Sequence, residues 1–257
     1  MLYEFNLFNG SLDEISPTKK LITTLNAHSY NTLYDDIIFK EALKNSDILL
    51  PDGVSMVWAS SILKGKSIRK IAGEDLFFYE MERVNKIKGK CFFLGSTEEN
   101  LKLIKERAIR EFPNISISTY SPPFKPVFDE NDNQLILDKI NNIEPDALFV
   151  GMTAPKQEKW AFNNLHRINA GHICCIGAVF DFYAGTIKRA PKWIINLGLE
   201  WLYRLLKEPR RMWRRYIIGN SIFIARILRS KLLYSKTSKA NSLITSEIKS
   251  SENKRKV

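Results

Sequence analysis

The chain has 257 residues, 44% of them hydrophobic, which suffices for one large α/β core or a core with an appendage. Its net charge of +11 is concentrated at one end: residues 1–203 carry 24 Lys and Arg against 25 Asp and Glu, whereas 204–231 carry nine basic residues and a single acid, Glu208. A nearly neutral body with a strongly basic end calls for a polyanionic partner at that end, either anionic lipid or nucleic acid.

Three cysteines, Cys91, Cys174 and Cys175, form no disulfide framework and fit a reducing compartment. Residues 1–16 carry acids and no basic leader region, so no signal peptide is expected. No uninterrupted apolar run reaches about 18 residues, so a spanning helix is not expected either.

Short runs rich in Ile, Phe, Val or Thr predict strands at 21–25, 91–95, 115–120, 147–152 and 172–180. Helical spacing predicts helices near 30–45, 53–63, 74–88, 97–111, 132–143 and 156–168. Strands alternating with helices imply a Rossmann-like, largely parallel sheet with helices on both faces.

In such sheets ligands bind outside the carboxyl ends of the strands. Four segments fall there. Thr24 and Asn26 flank Leu25 at the end of the first strand, so both can face the crevice; the equal alternative is a polar cap for the next helix. Asp52 stands between Pro51 and Gly53, a turn signature. The functional alternative is a carboxylate at a rigid turn that takes a proton from a hydroxyl.

The segment from Gly151 through Pro155, Lys156 and Gln157 to Trp160 joins a strand to a helix. A helix N-terminus there suits a diphosphate, with Lys156 and Gln157 as added donors; an ordinary joint with a surface lysine explains it equally. Asp181 follows the last predicted strand and can bind a sugar or ribose hydroxyl, or simply cap a turn.

No Walker A or Gly-x-Gly-x-x-Gly pattern appears. The three histidines, His28, His166 and His172, are isolated, and Asp-x-Asp is absent. The chemistry therefore reads as metal-independent, with no cofactor, and the cysteines read as core residues.

From Pro191 the chain changes character. Two or three helices rich in Arg and aromatics run to residue 234, broken near Glu208-Pro209, and a polar tail expected to be disordered fills 235–257. Apolar residues at helical spacing with interleaved Arg suit a helix lying in a membrane interface, on an anionic surface. A helix packed on the body with a solvated basic face is the second reading. A nucleic-acid groove is the third, and nucleic acid is not the expected partner because the apolar stripe is wider than phosphate contact requires.

Together, several pieces resemble the WecG/TagA/CpsF family of bacterial glycosyltransferases. They are Thr24-Leu25-Asn26, Pro51-Asp52-Gly53, Ala72-Gly73-Glu74-Asp75-Leu76, the run from Ala154 to Trp160, Phe180-Asp181 with Ala184-Gly185, Arg189-Ala190-Pro191, and Gly198 to Arg204 continuing to Glu208-Pro209-Arg210-Arg211. Each is weak alone, and the ordered set across about residues 20–218 is specific.

The resemblance implies an inverting, metal-independent transferase with a catalytic domain at 1–190 and a membrane-associating appendage at 191–234. It implies transfer of an N-acetylmannosamine-type sugar or related hexose from a UDP-sugar donor to a polyprenyl-diphosphate-linked N-acetylglucosamine acceptor, in teichoic acid or exopolysaccharide synthesis. The enzyme would be cytoplasmic and peripheral on the inner face of the cytoplasmic membrane, with a homo-oligomer left open. The family's proposed base falls on Asp52, pocket residues on Thr24 and Asn26, and a donor-side residue on Gln157. Appendage arginines that reach the site would come from Arg210, Arg211, Arg214 and Arg215. Two departures stand out: Lys70 occupies the position of a family Arg, and Thr153 stands where Gly is common. The rival readings are a catalytically inactive membrane scaffold and a nucleic-acid-binding protein.

Overall fold

A computed structural model describes residues 2–233; the tail expected at 235–257 lies outside the described residues. Six strands form one parallel sheet in the order β2-β1-β6-β5-β3-β4. They are β1 (Lys20–Leu25), β2 (Ile48–Pro51), β3 (Lys90–Gly95), β4 (Ser116–Tyr120), β5 (Ala147–Gly151) and β6 (His172–Cys175). The Rossmann-like, doubly covered sheet expected from the alternating pattern is present.

Helices α1 (Ala27–Thr32) and α2 (Ile37–Lys44) follow β1, and α3 (Val54–Lys64) and α4 (Gly73–Lys86) follow β2. Then come α5 (Glu98–Glu111), α6 (Glu130–Asn141), α7 (Lys156–Asn163) and α8 (Ala178–Ala184), each after a strand. Beyond them α9 (Lys192–Asn196), α10 (Glu200–Lys207) and α11 (Pro209–Trp213) lead through a π-helical stretch, Arg214–Ile218, into a last helix, α12, at 219–233.

Three sequence expectations need correction. Strand β2 carries no prediction of its own: it is short, and Pro51 reads as a breaker. Pro51 is tolerated because β2 lies at the edge of the sheet. The helix expected at 30–45 is two helices, because Asp36 caps α2 by accepting from the Phe39 N–H at 2.9 Å. The strand expected at 172–180 ends at Cys175, where Gly177 turns the chain into α8. Asp181 therefore sits on a helix.

Alternate residues of the inner strands bury on opposite faces. Phe93 and Phe149 face one side, with ring centroids 5.0 Å apart, and are joined there by Phe77, Phe180 and Tyr183. Phe92, Leu94, Leu148 and Val150 face the other side, against Trp160. Both faces are apolar, as a parallel sheet between helix layers requires.

One polar cluster lies inside. His172 is fully buried; its Nδ1 is 2.7 Å from Glu80 Oε1 and its Nε2 is 2.9 Å from the Ser16 carbonyl. Glu80 Oε2 also accepts from Arg83 Nε at 2.9 Å. The histidine that looked isolated in sequence thus ties the N-terminal segment to α4 and the foot of β6.

A separate cluster docks α12. Phe223 and Ile227 of α12 are buried against Tyr30 of α1, the Phe223 and Tyr30 rings meeting edge-on at 5.3 Å. Arg226 donates to the Asn31 carbonyl at 2.9 Å and lies over the Tyr34 ring. Asn31 in turn donates to the Gly219 carbonyl at 2.7 Å.

The replacement Glu80→Ala strips two donors of their buried acceptor. It should cost about 3 kcal/mol in urea unfolding, the scale of a broken buried pair.

Candidate active site

At the carboxyl ends of β1, β2, β5 and β6 lies a cavity of about 600 Å³. Strand β1 leads outward to β2 while β3 to β6 fill the other half of the sheet, so the cavity opens where the halves meet.

Its first wall follows from strand register. Leu25 pairs with Pro51 across β1 and β2, so the next residues, Asn26 and Asp52, emerge side by side. The Asp52 N–H donates to the Leu25 carbonyl at 2.9 Å, and Gly53 turns into α3 at a φ of 93°, a conformation that favours glycine. Asn26 does both things its sequence allowed. Its Oδ1 caps α1 by accepting from the Ser29 N–H at 3.0 Å, which turns its Nδ2 toward Asp52 Oδ2 at 3.5 Å. Thr24 lines the same wall, and Leu25 between them is buried.

Burial deep in this wall raises the Asp52 pKa above the ordinary 3.8, and the nearby Glu200 carboxylate raises it further. The Asn26 bond, Lys70 and Arg215 pull the other way. The result is a carboxylate held more basic than usual yet surrounded by groups that keep it ionisable.

The opposite wall comes from the α10–α12 region. Arg204, Arg211 and Arg215 line the cavity. Spacings of seven and four place them on one face despite the break at Glu208-Pro209. The buried Nε of Arg204 and that of Arg215 have no hydrogen-bond partner among the described residues. Of the four arginines expected from sequence, Arg210 and Arg214 are exposed and do not line the cavity, because they fall on the neighbouring helical face. Arg204 was missed as a site residue; its place at the end of the family-resembling run from Gly198 is the signal that could have marked it.

Lys70 reaches the cavity, whereas Arg69 lines only a neighbouring surface cleft. Of these two cations, Lys70 is the one that faces the cavity. Asp181 also lines the cavity, its Oδ1 accepting from Asn100 Nδ2 at 3.0 Å. Burial raises its pKa, while Arg211 and Arg204 oppose the shift.

Arg189 and Glu200, known from sequence only as motif letters, form part of the frame. Arg189 pairs with Glu74 and donates from Nε to Glu200 Oε1 at 3.0 Å, joining α4 to α10 beside the cavity. Among the described residues no cluster of three His, Cys, Asp or Glu side chains is placed to hold a metal ion.

Gln157 is buried and its amide is engaged by protein. Oε1 accepts from the Gly177 N–H at 3.1 Å and Nε2 donates to Glu158 Oε1 at 2.8 Å. A Cβ at Gly177 would lie 2.6 Å from Gln157 Oε1, so only glycine allows this approach. Lys156 stays outside the lining, its Nζ over the Phe128 ring and bonded to the Lys125 carbonyl. Thr153 lines the cavity with a φ of 66°.

A carboxylate of raised pKa thus shares the cavity with three arginines, an arrangement that suits a ligand with an anionic end. Residues 7–237 match the profile of the Glycosyl transferase WecG/TagA/CpsF family. The chain belongs to this family. It is 32% identical over 197 residues to an N-acetylglucosaminyldiphosphoundecaprenol N-acetyl-beta-D-mannosaminyltransferase of Bacillus subtilis strain 168, covering 77% of this chain and 75% of the relative. A protein of the same name from Bacillus spizizenii is 34% identical over 180 residues, covering 70% and 67%. One from Staphylococcus aureus strain MW2 is 27% identical over 216 residues, covering 84% and 82%.

A β-branched residue in the left-handed region is strained. Thr153→Gly should therefore raise stability by about 1 kcal/mol in urea unfolding, a gain that reports the strain held at the cavity rim.

Proposed function

We propose that this chain transfers an N-acetylmannosamine-type sugar from a UDP-sugar to a polyprenyl-diphosphate-linked N-acetylglucosamine; the sugar and the acceptor are those in the names of its relatives. The observation that carries the reading is Asp52, a carboxylate of raised pKa, facing Arg204, Arg211 and Arg215 across one cavity. In this reaction Asp52 takes the proton from the acceptor hydroxyl. The freed oxygen attacks the anomeric carbon from the face opposite the leaving group, so the configuration inverts. UDP departs with its growing charge met by the three arginines and Lys70, which supports a transfer that needs no metal ion. Thr24 and Asp181 offer hydrogen bonds to sugar or ribose hydroxyls.

In the same reading, residues 191–234 are an appendage lying on the inner face of the cytoplasmic membrane, with residues 1–190 as the catalytic domain. No helix among the described residues is long and apolar enough to cross a membrane. Large apolar side chains nonetheless stand in solvent along this end: Leu206 is 73% exposed, Trp193 64% and Leu232 65%. Arg210 and Arg214, left out of the cavity, sit among them and suit anionic headgroups. The acceptor's lipid would then stay in the bilayer while its sugar reaches Asp52.

The deciding experiment is UDP release with a short-chain lipid-diphosphate N-acetylglucosamine acceptor and a panel of UDP-sugars. Asp52→Asn should lower kcat by about 100-fold or more with UDP affinity essentially unchanged; equal loss of both would give Asp52 a structural role. Because the base must be ionised, kcat should climb with pH through an Asp52 pKa above 3.8. Glu200→Gln removes a raising influence and should move that limb to lower pH.

Replacing Arg210 and Arg214 together by Glu should weaken sedimentation with phosphatidylglycerol vesicles by about ten-fold or more at low salt, at roughly 1 kcal/mol per basic residue. Binding to neutral vesicles should change little.

A further inference from the structure

Glu158 is the buried ionisable group that this mechanism leaves unused. It is 1% exposed, lines the cavity, and sits in the first turn of α7. Its Oε1 accepts from Gln157 Nε2, but Oε2 meets no hydrogen-bond partner among the described residues. A buried carboxyl oxygen without a partner is costly unless a ligand or water satisfies it.

The neighbouring bonds define its polarity. Gly177 donates to Gln157, and Gln157 donates to Glu158 Oε1. Oε1 is therefore an acceptor, and when the acid is neutral its proton falls on Oε2. Gly177, Gln157 and Glu158 form a hydrogen-bonded chain that ends on this unpartnered oxygen. Gln157, the residue expected to touch the donor, has its carbonyl and one N–H occupied within this hydrogen-bonded chain.

Charge indicates what the open end meets. Lys70 and Arg215 act on Asp52, and Arg211 and Arg204 act on Asp181, whereas burial and hydrogen bonds from Gln157 and its own backbone govern Glu158, with no cation of the described residues among them. The anionic end of a ligand belongs with the arginines, which leaves an uncharged portion beside Glu158. Resting on the reading that the cavity binds a nucleotide sugar, we infer that Glu158, positioned by Gln157, donates a hydrogen bond as a neutral carboxylic acid to an uncharged oxygen of that donor.

The surroundings suit this state. Burial raises the Glu158 pKa to about 7, and the bonds from Gln157 and from its own backbone N–H only partly offset it. From β6 the group facing it is Cys175, a buried thiol that burial holds protonated. Strand β5 offers no charged residue, and Lys20 of β1 pairs with Asp47 at the strand's far end. On α2, Lys40 pairs with Glu4, Glu41 accepts from Asn45, Lys44 closes the helix, and its cap Asp36 pairs with Lys159.

The test is the donor KM as a function of pH for wild type, Glu158→Gln and Glu158→Ala, with thermal unfolding of each. An amide still donates but cannot ionise. Wild type should bind donor best below pH 7 and lose affinity as pH rises through about 7. Glu158→Ala should raise the donor KM about ten-fold below that pH, the scale of one lost hydrogen bond, with acceptor KM little changed. Glu158→Gln should recover most of that affinity and show no neutral pH limb. The inference is overturned if Glu158→Gln is as impaired as Glu158→Ala, or if it keeps the wild-type pH limb. Absence of turnover and binding by wild type with every nucleotide sugar would overturn the function itself, and this inference with it; wild-type turnover with either adverse variant result overturns Glu158 alone.

Discussion

Leu25 opposite Pro51 is the pairing on which the site depends. Parallel strands end at the same height, so a residue one step beyond each arrives at one edge with its side chain free. Asn26 and Asp52 occupy those two steps. A slip of one residue in this pairing would bring Pro51 or Gly53 to the step that Asp52 occupies and turn Leu50, now fully buried, to the opposite face of the sheet. Burial on both faces of β1 and β2 is therefore what holds the carboxylate in place.

Around that edge, charge is distributed so that neither sign dominates. Glu200 pushes against Asp52 but is itself held by Arg189, which also reaches Glu74. The Nε atoms of Arg204 and Arg215 have no hydrogen-bond partner among the described residues, whereas Asp52 and Asp181 each accept from an asparagine. An anionic group beside those two arginines would meet nitrogen atoms that no described residue occupies.

Much of this was legible in the sequence, for specific reasons. The inner strands of a parallel sheet are apolar on both faces, and runs such as 91–95 and 147–151 declare themselves. Thr24, Asn26 and Asp52 were identifiable because they interrupt apolar runs where a strand must end. The edge strand β2 was obscured by its own proline, and α8 by the unbroken apolar run from Ile173 to Phe180, whose turn rests on one glycine. The arginines were the hardest to sort. Their cavity-facing subset depends on how α10 and α11 join across Glu208-Pro209, a geometry that composition does not encode. Gln157 lines the cavity, but its bond to the Gly177 N–H joins two segments twenty residues apart and leaves no mark in the sequence.

The docking of α12 on α1 has a consequence for inheritance. Tyr30, Asn31 and Tyr34 hold the last helix, and they follow Asn26 within a few residues on the same short helix and its exit. The surface-facing end of the chain and the amide beside Asp52 therefore share one support. Exchanging this helix between relatives would demand matched changes in that support, so the helix and the site beside Asp52 are expected to diversify together, as a coupled trait, rather than as interchangeable modules.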